Sequence, residues 1–502
     1  MREIRGFVLL YVACVLACPA FGQQAQTLMV DATAPARPFP HFWEQMFGSG
    51  RAILSLRSSY RDDLGAVKKI TGFEYVRFHG IFLDEVGVYE ENKQGKPEYN
   101  FTYVDQIYDG LLQNGVRPFV EISFMPKDLA AQLDYQGFWY KPIVSPPKDY
   151  AKWDDLIRQF TQHLVNRYGI DEVSKWYFEV WNEPNIGFWS GKPAEETYFE
   201  LYDHTARDIK SVSPRLRVGG PATAQAAWIG DFIAHTVKDN VPVDFVSSHI
   251  YGMDKASKVF GTNEEIPEAE MVYRGTQKMH DDIKASKRPD LPLIVSEFSD
   301  GRVNTGNRDS IYMGPWLANV VRECDGLSDV MAFWPFSDVF EEHGVADAPF
   351  TDHSAREGRG LIAPDGIPKP SYEAFALLHK LGEQRIRESA DDAIVTRRND
   401  GTMVVALWNL VDPEKAGVEK KIDLEFKHLP AEAEAVIYRL DKKHGDTLGA
   451  YEAMGSPHYP TKAQVEELWK VAKIAPEDKT AIKDSHLSVE LPADGLAVIE
   501  IK

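Results

Sequence analysis

Trp-Tyr-Phe-Glu-Val-Trp-Asn-Glu-Pro-Asn at positions 176–185 is the run that decides how this chain folds. Its first six residues are aromatic or apolar apart from one Glu, the make-up of a strand packed on both faces. Two-residue alternation sets Tyr177, Glu179 and Trp181 on one side, and Phe178, Val180 and Asn182 on the other. Pro184 cannot extend a ladder, so the strand stops and leaves Glu183 at its rim. The flanks have a different period. Upstream, Trp153, Leu156, Ile157, Phe160 and Leu164 recur at three- and four-residue steps over 150–168, with Asp149 positioned to cap the start. Downstream, Tyr198, Leu201, Tyr202 and Ile209 share one face of 195–213, which ends before Pro214.

Working outward, the same alternation of strand and helix recurs. Strands are expected at 42–47, 75–78, 117–122, 176–181, 217–219, 245–249, 293–296 and 330–334, and further helices at 104–114, 228–239, 273–286, 312–324 and 372–381. Eight such units predict a (β/α)8 barrel. Beyond Leu381 the pattern becomes short alternating strands at 393–397, 402–408, 421–426, 435–439, 487–491 and 497–501, with one helix near 461–471. This is the pattern of an antiparallel β-sandwich, and 26–31, before Pro35 and Pro38, is short and apolar enough to join it. The fold expected is α/β: a barrel over 41–382 with an accessory sandwich made by 383–502 and an N-terminal segment, 23–40.

The 502 residues carry 56 Lys+Arg against 76 Asp+Glu, a formal charge of -20, which argues against a nucleic-acid partner because phosphate binding needs clustered cations. Arg2 and Arg5 precede an apolar run over 7–17 and small residues at Ala20 and Gly22, the form of a signal peptide spanning 1–22. That run is too short to span a bilayer, and no later stretch comes near the roughly 20 apolar residues required, so no membrane partner is expected. Cys14 and Cys18 fall in the signal. Cys324 is then alone, which leaves no internal disulfide and no cysteine-based metal site; no metal or cofactor is expected.

The predicted strands end on polar groups, and in a barrel those ends share the face where chemistry is built. Glu183 ends the fourth. Glu297 ends the seventh, in Leu-Ile-Val-Ser-Glu-Phe-Ser at 293–299. Strands four and seven face each other across the mouth, so the two carboxylates can flank a glycosidic bond. One protonates the leaving oxygen and the other attacks the anomeric carbon, at a spacing of about 5–5.5 Å if configuration is retained. Glu121, ending the third strand, is read as structural.

The 176–185 run resembles the signature of family 39 glycoside hydrolases, the β-xylosidases and α-L-iduronidases. Tyr-Val-Arg-Phe-His-Gly-Ile-Phe at 75–82, Gly-Val-Arg-Pro-Phe-Val-Glu at 115–121, Phe-Val-Ser-Ser-His-Ile-Tyr at 245–251 and Phe-Ser-Asp-Val-Phe-Glu-Glu at 336–342 resemble its bacterial β-xylosidase branch. The resemblance implies Glu183 as acid/base, Glu297 as nucleophile and Asn182 on the sugar 2-hydroxyl. It further implies that His79, His249, Tyr251, Trp334 and Glu342 line the subsite for the non-reducing sugar. Tyr251 or His249 is then expected to donate to Glu297 and lower its pKa, while Glu183 needs a raised one. The sequence departs from the resembled pattern at Phe-Ser-Asp-Gly-Arg, 298–302, and over 343–359, both at the mouth, which bears on the glycone more than on the reaction.

The function expected is an exported retaining exo-glycosidase that releases β-linked xylose from xylo-oligosaccharides. An α-L-arabinosidase, a β-glucanase and a non-catalytic carbohydrate-binding protein are the alternatives. An oligosaccharide is the partner, and homo-oligomerisation is left open.

Overall fold

In the computed structural model, residues 26–301, 307–350, 358–413, 415–430, 432–477 and 479–502 are described; the expected signal, with Cys14 and Cys18, lies outside the described residues. Eight parallel strands close into a barrel: β1 (Met46–Arg51), β2 (Tyr75–His79), β3 (Arg117–Ile122), β4 (Tyr177–Val180), β5 (Arg217–Thr223), β6 (Phe245–Tyr251), β7 (Leu293–Ser299) and β8 (Val330–Phe333). Closure is made by Ala332 against Met46 and Phe333 against Phe47. A helix of nine residues or more follows each strand: α1 (Ser58–Ile70), α2 (Thr102–Gln113), α3 (Tyr150–Tyr168), α4 (Ala194–Val212), α5 (Ile229–Lys238), α6 (Glu268–Ala285), α7 (Met313–Cys324) and α8 (Pro370–Leu378).

The helices form where the sequence puts an apolar stripe. In α3, Trp153, Leu156, Ile157, Phe160 and Leu164 are buried, and the Asp149 carboxylate accepts from the Ala151 N–H at 2.9 Å. Helix α1, absent from the pattern-based assignment, buries Tyr60, Leu64 and Val67. The first strand runs Met46–Arg51 rather than 42–47. Phe42 and Trp43 occupy a turn, with the Phe42 N–H donating to the Pro40 carbonyl, and Trp43 packs on Phe39 at 5.2 Å between ring centroids. An apolar turn of this kind reads like a strand because burial, not pairing, sets its composition.

The sandwich has a three-stranded sheet, Gln26–Asp31, Lys420–Lys427 and His486–Leu491, over a seven-stranded sheet from Ala36–Pro38 to Thr480–Ala481. Leu28, Ile422, Leu424 and Val489 of the first meet Val395, Val405, Ile437 and Ile499 of the second. The Gln26–Asp31 strand joins as expected but runs parallel to Lys420–Lys427, so the sandwich is not wholly antiparallel. On the outer face of the larger sheet, Trp408, Leu440, Leu496 and Val498 merge with the barrel core. Helix α7 approaches closely there: a Cβ on Gly314 would lie 2.8 Å from Leu440 Cδ2.

Two helices, Thr447–Ala453 and Lys462–Ala472, reach from the sandwich to the loop after β8. Leu448, Tyr451, Val465 and Leu468 enclose Phe350 of that loop, whose ring centroid lies 4.9 Å from Tyr451's. Cys324, at the end of α7, is the free cysteine among the described residues, and burial pushes its thiol up to about 12. No helix among them is long and apolar enough to cross a membrane.

Candidate active site

The lower barrel is filled by Met46, Tyr75, Phe119, Phe245, Ile294, Val330 and Ala332 with Tyr177. Above this apolar floor the filling turns ionic. Arg77 of β2, fully buried, donates to Glu179 at 2.6 Å, to Glu297 at 2.6 Å and to Asn182 Oδ1 at 3.0 Å, and pairs with Glu121 at 2.8 Å. A buried charge is tolerable only when paired in this way. His79 Nδ1 lies 2.8 Å from Glu121. Burial disfavours the charged ring, but the Glu121 carboxylate overrides it and carries His79 up to about 10. Two cations are thus set between the carboxylates of Glu121 and Glu179 below and Glu297 at the mouth.

Glu183 and Glu297 stand above this layer. Trp181 and Glu183 both have positive φ, 71° and 44°, and the Glu183 N–H donates to the Ala222 carbonyl of β5 at 2.7 Å. Such backbone in non-glycine residues persists only where surrounding contacts impose it. Here it breaks the strand's alternation. Asn182, expected on the side of Phe178 and Val180, turns inward and meets Arg77 beside Glu179. With Oδ1 taken by Arg77, the Asn182 NH2 is left for a ligand.

One carboxylate oxygen from Glu183, one from Glu297 and a ring nitrogen of His249 all lie within 4.8 Å of one another. The two carboxylates are held differently. Glu297 accepts from Arg77 and, at 2.5 Å, from the Tyr251 hydroxyl. Glu183 meets His249 Nδ1 at 3.0 Å. Burial pushes His249 down to about 4 despite the Glu297 charge, so the ring is neutral near pH 7. Burial also pushes Glu183 up to about 7, against the pull of His79 and Arg77. Glu297 differs from expectation. Its bond from Tyr251 is present, yet burial outweighs it and the Arg77 charge, and the carboxyl sits above its usual range rather than below. What separates the pair is a permanent cation in contact with one oxygen of Glu297 and none in contact with Glu183.

His79, Asn182, Glu183, Tyr251, Glu297, Trp334 and Glu342 line one cavity of about 280 Å³, together with Gln136, Phe138, His343 and Arg359 among others. His249 is fully buried behind these residues, its Nδ1 3.0 Å from Glu183 and 3.5 Å from Glu297. Trp334 has the Arg77 guanidinium 5.3 Å from its ring centroid and His79 at 4.8 Å. Gly48 of β1 makes room for it, since a Cβ there would lie 1.8 Å from Trp334 Cε3. Arg77 is the residue that the sequence marked only as a polar strand end, with no role; the signal was a single Arg within a strand that is otherwise apolar or aromatic up to His79. Two clusters among the described residues have the donor types of a metal site, Glu183–His249–Glu297 and His41–Glu44–His379. In each the carboxylate already accepts hydrogen bonds, Glu44 from His41 at 2.7 Å and from His379 at 2.8 Å.

A (β/α)8 barrel whose fourth and seventh strands bring two carboxyl groups this close over a small cavity is the framework of a retaining glycoside hydrolase. The chain belongs to glycosyl hydrolases family 39, whose model matches residues 26–485. It is 37% identical over 481 residues to a β-xylosidase of Geobacillus stearothermophilus, covering 92% of this chain and 93% of that protein. Among solved structures, a monomeric β-xylosidase from Caulobacter crescentus superimposes with a TM-score of 0.85 at 32% identity, covering 95% of this chain and 99% of that one. A family 39 enzyme from Xanthomonas axonopodis pv. citri gives 0.86 at 30% identity over 97% and 99%.

Proposed function

We propose that the enzyme removes single xylose units from the non-reducing end of β-linked xylo-oligosaccharides by double displacement. Glu183, with a carboxyl pushed up to about 7, gives its proton to the leaving oxygen as Glu297 attacks the anomeric carbon. Glu183 then takes a proton from the water that releases the sugar. The observation that carries this reading is the pair of carboxylate oxygens within 4.8 Å, one of them in contact with Arg77 and Tyr251. Asn182 offers its NH2 to the 2-hydroxyl, and Trp334 its ring to the C–H face of the sugar. A cavity of about 280 Å³ favours end-on release over cleavage within a chain. The similarity to β-xylosidases favours xylose over arabinose.

The run of Arg2, Arg5, an apolar centre and Gly22 supports export to a periplasm or the medium. The shared core of α7 and the larger sheet supports a sandwich that works as part of the catalytic unit. The test is release of p-nitrophenol from an aryl β-xyloside. Glu297→Ala is expected to lose activity by about 10⁴-fold or more, and azide to restore turnover with a glycosyl azide of inverted configuration as product. Equal rates for wild type and Glu297→Ala would sink the assignment.

A further inference from the structure

Two of the eleven tryptophans are exposed, Trp139 at 57% and Trp469 at 47%, and they flank one loop. The loop follows β8. On its inner side Glu342 and His343 line the catalytic cavity, and the Trp139 N–H donates to the Glu342 carbonyl at 2.7 Å. On its outer side Glu341 and Val345 line a second cavity of about 520 Å³, closed by Trp469 of the Lys462–Ala472 helix. Adjacent residues of one loop therefore face two separate cavities.

The chemistry of the outer cavity selects its ligand. Trp469 is half-exposed, and its Cζ2 stands 3.8 Å from where a Cβ on Gly366 would be. Around it stand the exposed carboxylates of Asp62 and Asp365 and the hydroxyl of Ser59. Arg57, also on the wall, is paired with Glu341. The carboxylate excess repels an anion. Hydroxyl groups suit it, because each ionised carboxylate accepts and none donates. A flat aromatic face with acceptors at its side takes a neutral sugar, C–H face on the ring and hydroxyls on the oxygens.

We infer that the outer cavity is a second, non-catalytic binding site for a neutral oligosaccharide, with Trp469 as its platform. The inference rests on the xylo-oligosaccharide reading of the catalytic site for the sugar to be used. The full-length Glu297→Gln protein is titrated calorimetrically with xylotetraose. Two binding events are expected, and Trp469→Ala in that background weakens one by about tenfold or more while the other is kept, the size of one aromatic contact. The double variant Asp62→Ala/Asp365→Ala is expected to weaken the same event. A single event, or two events that both survive Trp469→Ala, overturns the inference. So does a fall in sedimenting mass on Trp469→Ala, which would assign the face to a second copy of the chain. Hydrolysis of xylotetraose by the wild type tests the substrate reading separately: without released xylose that reading fails, while the outer event is still judged on Trp469.

Discussion

The barrel and the sandwich both bury polar atoms, but to different ends. In the sandwich, at Thr396 and Asn409, they serve the main chain. Thr396 Oγ1 accepts from the Gly382 N–H at 2.7 Å, and Asn409 Nδ2 donates to the carbonyls of Val418, Leu491 and Pro492. In the barrel they serve one another: Arg77 ties Glu121, Glu179 and Glu297 together, and Asn182 with them. A polar group that satisfies backbone is spent on the fold. One held by a neighbouring side chain keeps capacity free for a ligand, and this is why reactivity gathers in one region while the other stays inert.

The comparison can be broken most forcefully at Arg77. Arg77→Met takes the shared guanidinium from Glu121, Glu179 and Glu297, of which Glu121 keeps His79, and a loss of about 3–5 kcal/mol is expected in denaturant unfolding. The same variant should lose kcat/KM by about 10³-fold or more, because Glu297 loses its positioning bond. A variant as stable and as active as the wild type would show that the ionic layer is dispensable.

Next in size is the effect of pH. In the proposed mechanism the acid form of Glu183 is the working form, and it disappears as pH rises through about 7. The kcat/KM profile should therefore fall about tenfold per unit on the alkaline side, and Glu183→Gln should remove that limb. Its persistence in the variant would assign it to another group. Stability follows the same sign. A carboxyl raised in the fold contributes fully below its ordinary value of 4.5, and the contribution fades as pH rises through about 7.

The smallest effect sharpens the comparison within the sandwich. Val489→Ala, deep in the aliphatic core, should cost about 2 kcal/mol and leave KM unchanged. Phe350→Ala, of about 3 kcal/mol, should raise KM several-fold with little change in kcat, because it frees the loop that carries Glu342 and His343. Equal KM for the two variants would show that the helix pair does not hold the loop.

Seven of the eight strands, and the two carboxyl groups that end the fourth and seventh, were readable because alternation, apolar composition and Pro184 are local signals. Alternation fixes which face a residue takes, not its depth. Arg77 was visible as a polar residue near a strand end, but that it lies below the mouth, under Glu297, depends on three other strands. Alternation alone put Asn182 on the side of Phe178 and Val180 while the family resemblance put it on the sugar, and the backbone with positive φ at Trp181 is what turns it inward to Arg77. His249 and Tyr251, two apart, were expected to share a face; both do reach the carboxylates, but only Tyr251 reaches the cavity. The expected low pKa of Glu297 failed for a related reason: hydrogen-bond partners can be read from types and spacing, whereas burial belongs to the closed barrel.

Cys324 has a practical consequence. Maleimides react with thiolates, and a thiol pushed up to about 12 is ionised at pH 7 to roughly one part in 10⁵. A cysteine introduced at an exposed position such as Val345 would be labelled long before the native one. In a protein lacking residues 1–22, and with them Cys14 and Cys18, fluorescent reporters can therefore be attached beside either cavity with Cys324 left in place.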